Sequence, residues 1–507
     1  MSQSLKQFVL RSEEAVEVAP DYMKYSVKSL NVVLIQAPTT QGVKSLLPQV
    51  DSDGGEGIGY KPPLGILYCA STLKQSSKHN VLVIDAIASE LTYEEIVEKV
   101  VEFSADVVGI SAWTDFWYPA YRVGELIKEA LPNTHLTYGG PHLGIYQSET
   151  LSIPFIDSVI VGDGEIPFLY LCNMVANGKS DNSMRGLHFK SGGVKPSPDT
   201  FYIHGDLDTL PFPSRTSLPL ENYSSVLGKK SFVTTMITSR GCPYRCTFCK
   251  LNFQKTLARS ADSIVAEFYE IYRLGISEIE IYDDTFTWNK KRLVEICEKL
   301  IKANLGIKFA IRDRVSSASV DLETMKLLKK AGCIRIHFGI ESGVQRIIDK
   351  MQKKITLEQA REAVKLAKSV GITVLTYFMF GNLEETEDDM KKTIDFAISL
   401  NADFAQFSIT IPYAGTEMYE EALKVGIIKS DYWLNYALKP EPNMIPGGLI
   451  ENTVSLEKMI EMRNLAIRRF YFRPKFIVKE FMALRSINEF IKKAKMGMQL
   501  AQSVYTK

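Results

Sequence analysis

FVTTMITSRGCPYRCTFCK (232–250) is the stretch on which the fold turns. Its first half is a short apolar run, Phe232 to Ile237, that reads as a buried strand. Its second half places Cys242, Cys246 and Cys249 on one tight loop directly after that strand. The spacing C-x-x-x-C-x-x-C is not a four-thiolate zinc pattern, and the next cysteine is the distant Cys297. Three thiolates suit a [4Fe-4S] cluster with one iron left open, because soft sulfur ligands favour iron-sulfur centres and a vacant iron can take up a substrate or cosubstrate.

Downstream of the loop, strand-like runs alternate with amphipathic helices. The strands are SEIEIYDD (277–284), IKFAIRD (307–313), CIRIHFGIE (333–341), TVLTYFMFG (373–381) and FAQFSITIP (404–412). Helical spacing is found at 263–274, 293–303, 322–332, 358–371 and 387–400. With the strand ahead of the cysteines, these units predict a parallel α/β layer, either a full barrel or an open partial one, with functional residues at the carboxyl ends of its strands.

Upstream, residues 31–165 also alternate: NVVLIQAP (31–38), VLVIDA (81–86), ADVVGISAW (105–113), HLTYGG (135–140) and DSVIVGDGE (157–165) are separated by helical segments at 62–75, 93–103 and 121–131. Continuous apolar strands between helices predict a doubly wound parallel sheet covered on both faces. The Gly-, Pro- and Ser-rich stretch that follows reads as a small hairpin plus linker. The expected organisation is an N-terminal extension (1–30), a first α/β domain (31–175), the linker (176–229), a second α/β domain (230–454) and a helical tail (455–507).

Composition is that of a globular protein: 507 residues, 45% hydrophobic and 23% charged, which leaves no room for a disordered or collagen-like reading. Lys and Arg number 60 against 59 acids, so charge gives no ground for a nucleic-acid partner. No apolar run approaches the roughly 18–20 residues of a spanning helix, and the first twenty residues lack a signal-peptide pattern, so a cytoplasmic location is expected. The tail carries nine Lys or Arg against two Glu between Arg468 and Lys495, with Ile477, Phe481, Leu484, Ile487 and Ile491 along one face. Such a helix either packs its apolar face on the second domain or makes peripheral membrane contact. Cys69, Cys172, Cys297 and Cys333 read as buried apolar residues.

The cysteine loop, following a strand and opening a series of β/α units, resembles the radical S-adenosylmethionine (SAM) superfamily. The resemblance implies that the open iron binds the amino and carboxyl groups of SAM, and that one electron splits SAM to a 5'-deoxyadenosyl radical. It implies SAM contacts from Phe248 and from the strand ends: Asp283 and Asp284, Arg312, Glu341 and Ser342, and Gly381. Arg314 ends the same strand as Arg312, and either guanidinium could hold a carboxylate. Tyr282, His337 and Tyr377 lie on or near barrel strands and read chiefly as packing residues.

PPLGILYCASTLK, VIDA, ADVVGISAWT, YGGPH and VGDGE, in that order, resemble the cobalamin-binding domain fused ahead of the core in one large branch of that superfamily. The resemblance spans roughly 30–475 and assigns cobalamin contacts to Ser111, Gly139, Gly140, Gly162 and Glu165. The D-x-H-x-x-G motif of many cobalamin proteins is absent: the loop after the first strand reads Ala37-Pro38-Thr39-Thr40-Gln41-Gly42, which implies cobalamin without a protein histidine ligand.

The function implied is a cobalamin-dependent C-methyltransferase on an unactivated carbon of an apolar, lipid- or tetrapyrrole-like substrate, fed by flavodoxin or ferredoxin. A cyclase or oxidase without methyl transfer is the alternative, and a non-catalytic iron-sulfur and corrinoid sensor a third reading.

Overall fold

The computed structural model describes residues 28–39, 60–180, 183–190, 201–224, 232–250, 256–315, 320–442, 450–451 and 453–482. Most of the N-terminal extension, positions 40–42 of the loop after the first strand, and the tail residues Leu484, Ile487 and Ile491 lie outside them.

The first sheet comprises β1 (Asn31–Gln36), β2 (Asn80–Asp85), β3 (Val107–Ser111), β4 (His135–Gly139), β5 (Ser158–Ile160) and β6 (Leu187–Phe189), in the order β2-β1-β3-β4-β5-β6. Val32 and Leu34 face one side, under the helices Leu64–Ser76 and Glu165–Ala176, while Val33 and Ile35 face the other, under Tyr93–Glu102 and Trp117–Ala130. This double burial is why the strands read as unbroken apolar runs. The chain passes from β1 to β2 on one side and from β2 back across to β3 on the other, and this reversal of strand order puts a crevice at the carboxyl ends of β1 and β3.

Part of the stretch expected to form a hairpin extends this sheet, while its residues 191–200 lie outside the described ones. β6 pairs antiparallel with β5, and Tyr202 bridges Gly162. The physical reason is the open edge of β5: Val161 donates its N–H to Gly186 and accepts from Tyr202 N–H, leaving no unpaired ladder there.

The second sheet takes β7 (Val233–Met236), β10 (Glu278–Ile281), β11 (Lys308–Arg314), β12 (Cys333–Glu341), β13 (Thr373–Phe380) and β14 (Phe404–Ile409) in chain order, all parallel. It is an open, six-stranded partial barrel. Two short strands, β8 (Ser239–Arg240) and β9 (Leu257–Ala258), flank the cysteine loop. Ser260, Asn289, Asp321, Thr356 and Thr386 each cap a following helix by accepting a backbone N–H. Such caps are worth about 1 kcal/mol each.

Alternation along these strands divides apolar from polar. Ile279, Ile281, Phe309, Ile311, Ile336, Phe338 and Val374 join the helices in one core. The alternate positions Glu278, Glu280, Tyr282, Arg312, Arg335 and His337 face inward, so the barrel interior is charged where layers of branched aliphatics would be usual.

Both edges of the partial barrel are covered. Tyr471, ending the helix Leu456–Tyr471, accepts from Ala405 N–H at 3.0 Å and donates to Ala405 C=O at 2.6 Å on β14. That helix buries Met459, Met462, Ala466, Ile467 and Phe470, as a packing helix should. The next helix, Pro474–Met482, leaves Ile477 and Phe481 exposed. At the opposite edge, Arg215 from the linker donates to Thr235 C=O on β7 at 2.8 Å. Arg215 and Arg259 converge on Glu267, all three buried. Burial pushes the Glu267 carboxyl up, and the two guanidinium groups outweigh that, holding it below the usual carboxylate range.

Replacing Glu267 by Gln strands two buried cations, and the expected loss is about 3–5 kcal/mol, read from the urea midpoint. Because the folded-state pKa is depressed, the contribution is present above the ordinary glutamate pKa of about 4.3 and disappears as pH falls through the lower folded value; the E267Q variant should lack that part of the acid sensitivity.

Candidate active site

The cysteine loop starts at Gly241, whose φ of +85° turns the chain away from β8. Cys242 is buried, Cys246 half-buried and Cys249 the most open of the three. The loop is strapped at its centre: Thr247 N–H donates to Met351 C=O at 3.0 Å, and Thr247 C=O accepts from Met418 N–H at 2.9 Å. Arg314 lies 3.8 Å over the Tyr244 ring and donates to Cys246 Sγ at 3.3 Å. Burial pushes the Cys242 thiol up, and burial with Cys246 and Asp284 nearby pushes Cys249 up to about 12. The Cys242 and Cys249 thiols therefore stay protonated until a positive centre draws the protons off. Among the described residues no three His, Cys, Asp or Glu side chains converge on a single ion. A cubane does not ask for that, since each thiolate binds a different iron, and the three-thiol donor set beside one guanidinium fits a cluster with an open corner.

Asp283, expected at SAM, is fully engaged inside the protein. It accepts from Thr238 N–H at 2.6 Å, Thr238 Oγ1 at 2.5 Å and Ser239 Oγ at 2.6 Å, and so holds the segment leading into the cysteines. Arg292 donates to Thr238 C=O and Oγ1. Asp284, the next residue, is exposed at the strand end, and burial of its surroundings together with Asp283 raises its pKa. Of the two arginines ending β11, Arg314 touches the cysteine loop, while Arg312 sits two residues deeper and stacks 4.1 Å over Tyr282.

Glu341 has a φ of +76° and pairs with Lys353 at 2.8 Å, and Lys353 lies 5.4 Å over the Phe248 ring. A Cβ at Gly339 would stand 2.6 Å from Glu341 Oε1, so that glycine lets the carboxylate fold back. Ser342 is buried and accepts from Val344 N–H at 3.2 Å, with Thr393 Oγ1 at 3.3 Å, so it braces the turn. Gly381 has a φ of +85°, donates its N–H to Glu385 at 2.8 Å and faces Met459, so the turn itself explains it.

On the first sheet, Ser111 and Gly139 are register partners at the strand ends beside the crevice. No described atom comes nearer than 4.0 Å to the place a Gly139 Cβ would occupy, an open face of the kind a flat ring needs. Gly140 and Gly162 have a different cause. Their φ angles are +100° and +99°, and an added Cβ would meet Ala112 C=O at 2.7 Å or Tyr202 C=O at 2.1 Å. The protein's own backbone requires those two glycines.

Glu165 is where the two sheets meet. Arg240, two residues before Cys242, pairs with Glu165 at 2.5 Å and with Asp163 at 2.8 Å, and its guanidinium lies 5.3 Å over Tyr68. Burial opposes ionisation of Glu165, and Arg240 outweighs it, leaving the carboxyl below its usual range. A second tie joins Asp115, after β3, to Tyr413, after β14. Loops at the carboxyl ends of the two sheets are thus in contact.

A family model for the radical SAM superfamily matches residues 236–397, and one for the B12 binding domain matches 58–171. An uncharacterized methyltransferase of Pyrococcus horikoshii is 33% identical over 460 residues, covering 90% of this chain and 95% of that one. The chain belongs to the radical SAM superfamily. It is a radical SAM enzyme of the cobalamin-dependent branch, and its cofactors are a [4Fe-4S] cluster, SAM and cobalamin. The anaerobic magnesium-protoporphyrin IX monomethyl ester cyclase of Rubrivivax gelatinosus is 28% identical over 447 residues, 86% of this chain and 78% of the cyclase. The solved structure of the cobalamin-dependent SAM radical enzyme OxsB superposes with a TM-score of 0.70 at 17% identity, covering all of this chain and 77% of that one, a likeness of fold.

Arg240, Lys353 and Gly339 escape a reading by strand ends alone. Arg240 pairs with partners 75 and more residues away, and only the doubled acid in VGDGE, opposite an arginine beside the cysteines, hinted at it.

Two outcomes are expected. Cys246→Ser should drop iron and acid-labile sulfide from about four per chain to below about one after anaerobic reconstitution. Arg240→Gln should raise amide hydrogen exchange about tenfold across 161–166 and 238–243 while the strand cores keep their protection; unchanged exchange there would show that the pair does not hold the sheets together.

Proposed function

We propose that this enzyme transfers a methyl group to an unactivated carbon of a largely apolar substrate. The observation that carries the reading is the contact between carboxyl-end loops of the two sheets, Arg240 with Asp163 and Glu165 and Asp115 with Tyr413, which would turn both cofactor sites toward one space. Two cofactors that address one space can act on one carbon in succession. When bound, SAM on the reduced cluster supplies a 5'-deoxyadenosyl radical, and cobalamin supplies the methyl group.

The chain's own residues then have separate tasks. Cys242, Cys246 and Cys249 would hold the cluster, with Arg314 beside Cys246 offsetting its negative charge. Asp284, exposed at the end of β10, is placed to receive the SAM amino group, and Glu341, fixed by Lys353, to receive ribose hydroxyls. Phe248, held under Lys353, offers a flat face for the adenine, and Gly381 N–H is already used by its own turn. Ser111 and Gly139 would contact the corrinoid. Trp113 and Phe116, both substantially exposed after β3, support an apolar occupant of the space.

A low-potential donor such as flavodoxin or ferredoxin would supply the electron. No helix of the described residues is long and apolar enough to cross a membrane. Peripheral contact through the exposed Ile477, Val478, Phe481 and Met482 fits the cationic tail.

The cyclase reading is kept apart by its products. With reconstituted protein, hydroxocobalamin, reductant and a lipid and pigment extract, methyl transfer should yield S-adenosylhomocysteine together with 5'-deoxyadenosine and label one extract component from methyl-labelled SAM. Formation of 5'-deoxyadenosine alone, with no labelled component, would overturn methyl transfer in favour of a cyclase or oxidase.

A further inference from the structure

The charged interior of the partial barrel ends in two hydrogen-bond donors that have no acceptor among the described residues. Arg335 is buried on β12 and pairs with Glu280 at 2.9 Å, with Glu278 Oε1 at 3.8 Å. Its Nε donates to His337 Nε2 at 2.8 Å. A guanidinium can only donate, so His337 Nε2 is the acceptor nitrogen and the ring proton sits on Nδ1. Nδ1 is 2.8 Å from the Tyr377 hydroxyl and must donate to it. Burial, with Arg335, Arg312 and Lys61 nearby, holds His337 well below its ordinary pKa, in keeping with a neutral ring of fixed tautomer. The Tyr377 oxygen therefore already accepts, and its own O–H is directed to a partner the protein does not provide among the described residues.

Arg312 is the second donor. It is the register partner of His337 on the adjacent strand, its side chain is exposed, and its charge bears on both Tyr282 and Tyr377. Stacking on Tyr282, whose hydroxyl is tied to Glu280 at 3.2 Å, fixes the plane of the guanidinium. Among the described residues it has no carboxylate partner. Arg314, and not Arg312, reaches the cysteine loop. An aimed guanidinium and an aimed hydroxyl at a half-open site, backed by a buried chain that fixes both, form a receptor for an oxyanion.

We propose that Arg312 and Tyr377 bind an anionic oxygen group of the substrate, a carboxylate or a phosphoryl group, so that the substrate is amphiphilic: an apolar body with one acidic end. This rests on reading the barrel mouth as the substrate space. The acidic end at Arg312 sets the register of the carbon skeleton against the cofactors, which makes Arg312 and Tyr377 determinants of specificity.

The test measures binding without turnover, so its failure leaves the SAM-product experiment standing on its own. Reconstituted holoenzyme with SAM is titrated calorimetrically with phenylbutyrate, methyl phenylbutyrate and phenylpropyl phosphate. At least one anion should bind about tenfold or more tightly than the neutral ester, and the tighter of the two names the acidic group. Arg312→Gln should erase that preference, Tyr377→Phe should reduce it about three- to tenfold, and Arg312→Lys should restore part of it by returning the charge without the fork. The proposal is overturned if the ester binds as well as both anions, if R312Q keeps the preference, or if R312Q loses affinity for SAM itself, which would assign the guanidinium to the SAM carboxylate.

Discussion

A single guanidinium holds the two halves of this protein in working relation. Arg240 belongs by sequence to the cysteine loop and by contact to the loop after β5, where Asp163 and Glu165 receive it. An ion pair largely removed from water resists rearrangement, because separating the partners leaves buried charge uncompensated on both sides. The position of the cysteine loop relative to the crevice of the first sheet is thereby fixed, and chemistry that draws on both domains would depend on that distance.

Behind this contact stands a second layer of constraint. Asp283 closes the turn before the cysteines by accepting from Thr238 and Ser239, and the Arg215, Glu267 and Arg259 cluster ties the linker to β7. The residue next to Asp283 is the exposed one: Asp284 stands open at the strand end. Adjacent residues on an extended segment point opposite ways, so one braces the scaffold while its neighbour stays exposed. The same economy appears in the barrel interior, where a buried chain from Glu280 through Arg335 and His337 ends at Tyr377. Polar groups inside a protein must find partners, and a chain that satisfies every member but the last directs that last donor outward.

Much of the architecture was legible from pattern. Both parallel sheets follow from apolar strands alternating with amphipathic helices, since a strand buried on both faces has to be apolar throughout and its crossover has to be a helix of matching length. The three cysteines announced their chemistry by spacing alone. The glycines were harder to read. Gly139 keeps an open face, but Gly140 and Gly162 are required by Ala112 and Tyr202 of the protein itself, contacts that no local sequence pattern expresses. Leu187–Phe189 of the linker joins the first sheet because the unpaired edge of β5 lies close in space, not in sequence.

What the sequence determined alone was fold class, the order of the two sheets, the three-cysteine loop and the family to which it belongs, because periodicity and short-range spacing are local properties of a chain. Tertiary structure decided which of two neighbouring strand-end residues stays exposed, which carboxylates are consumed by internal arginines, and that the interior of the barrel is charged. Those are matters of partnership between residues 50 or more positions apart, such as Arg335 with Glu280 or Arg240 with Glu165, and burial sets the energy of each such pair only once the strands have brought them together.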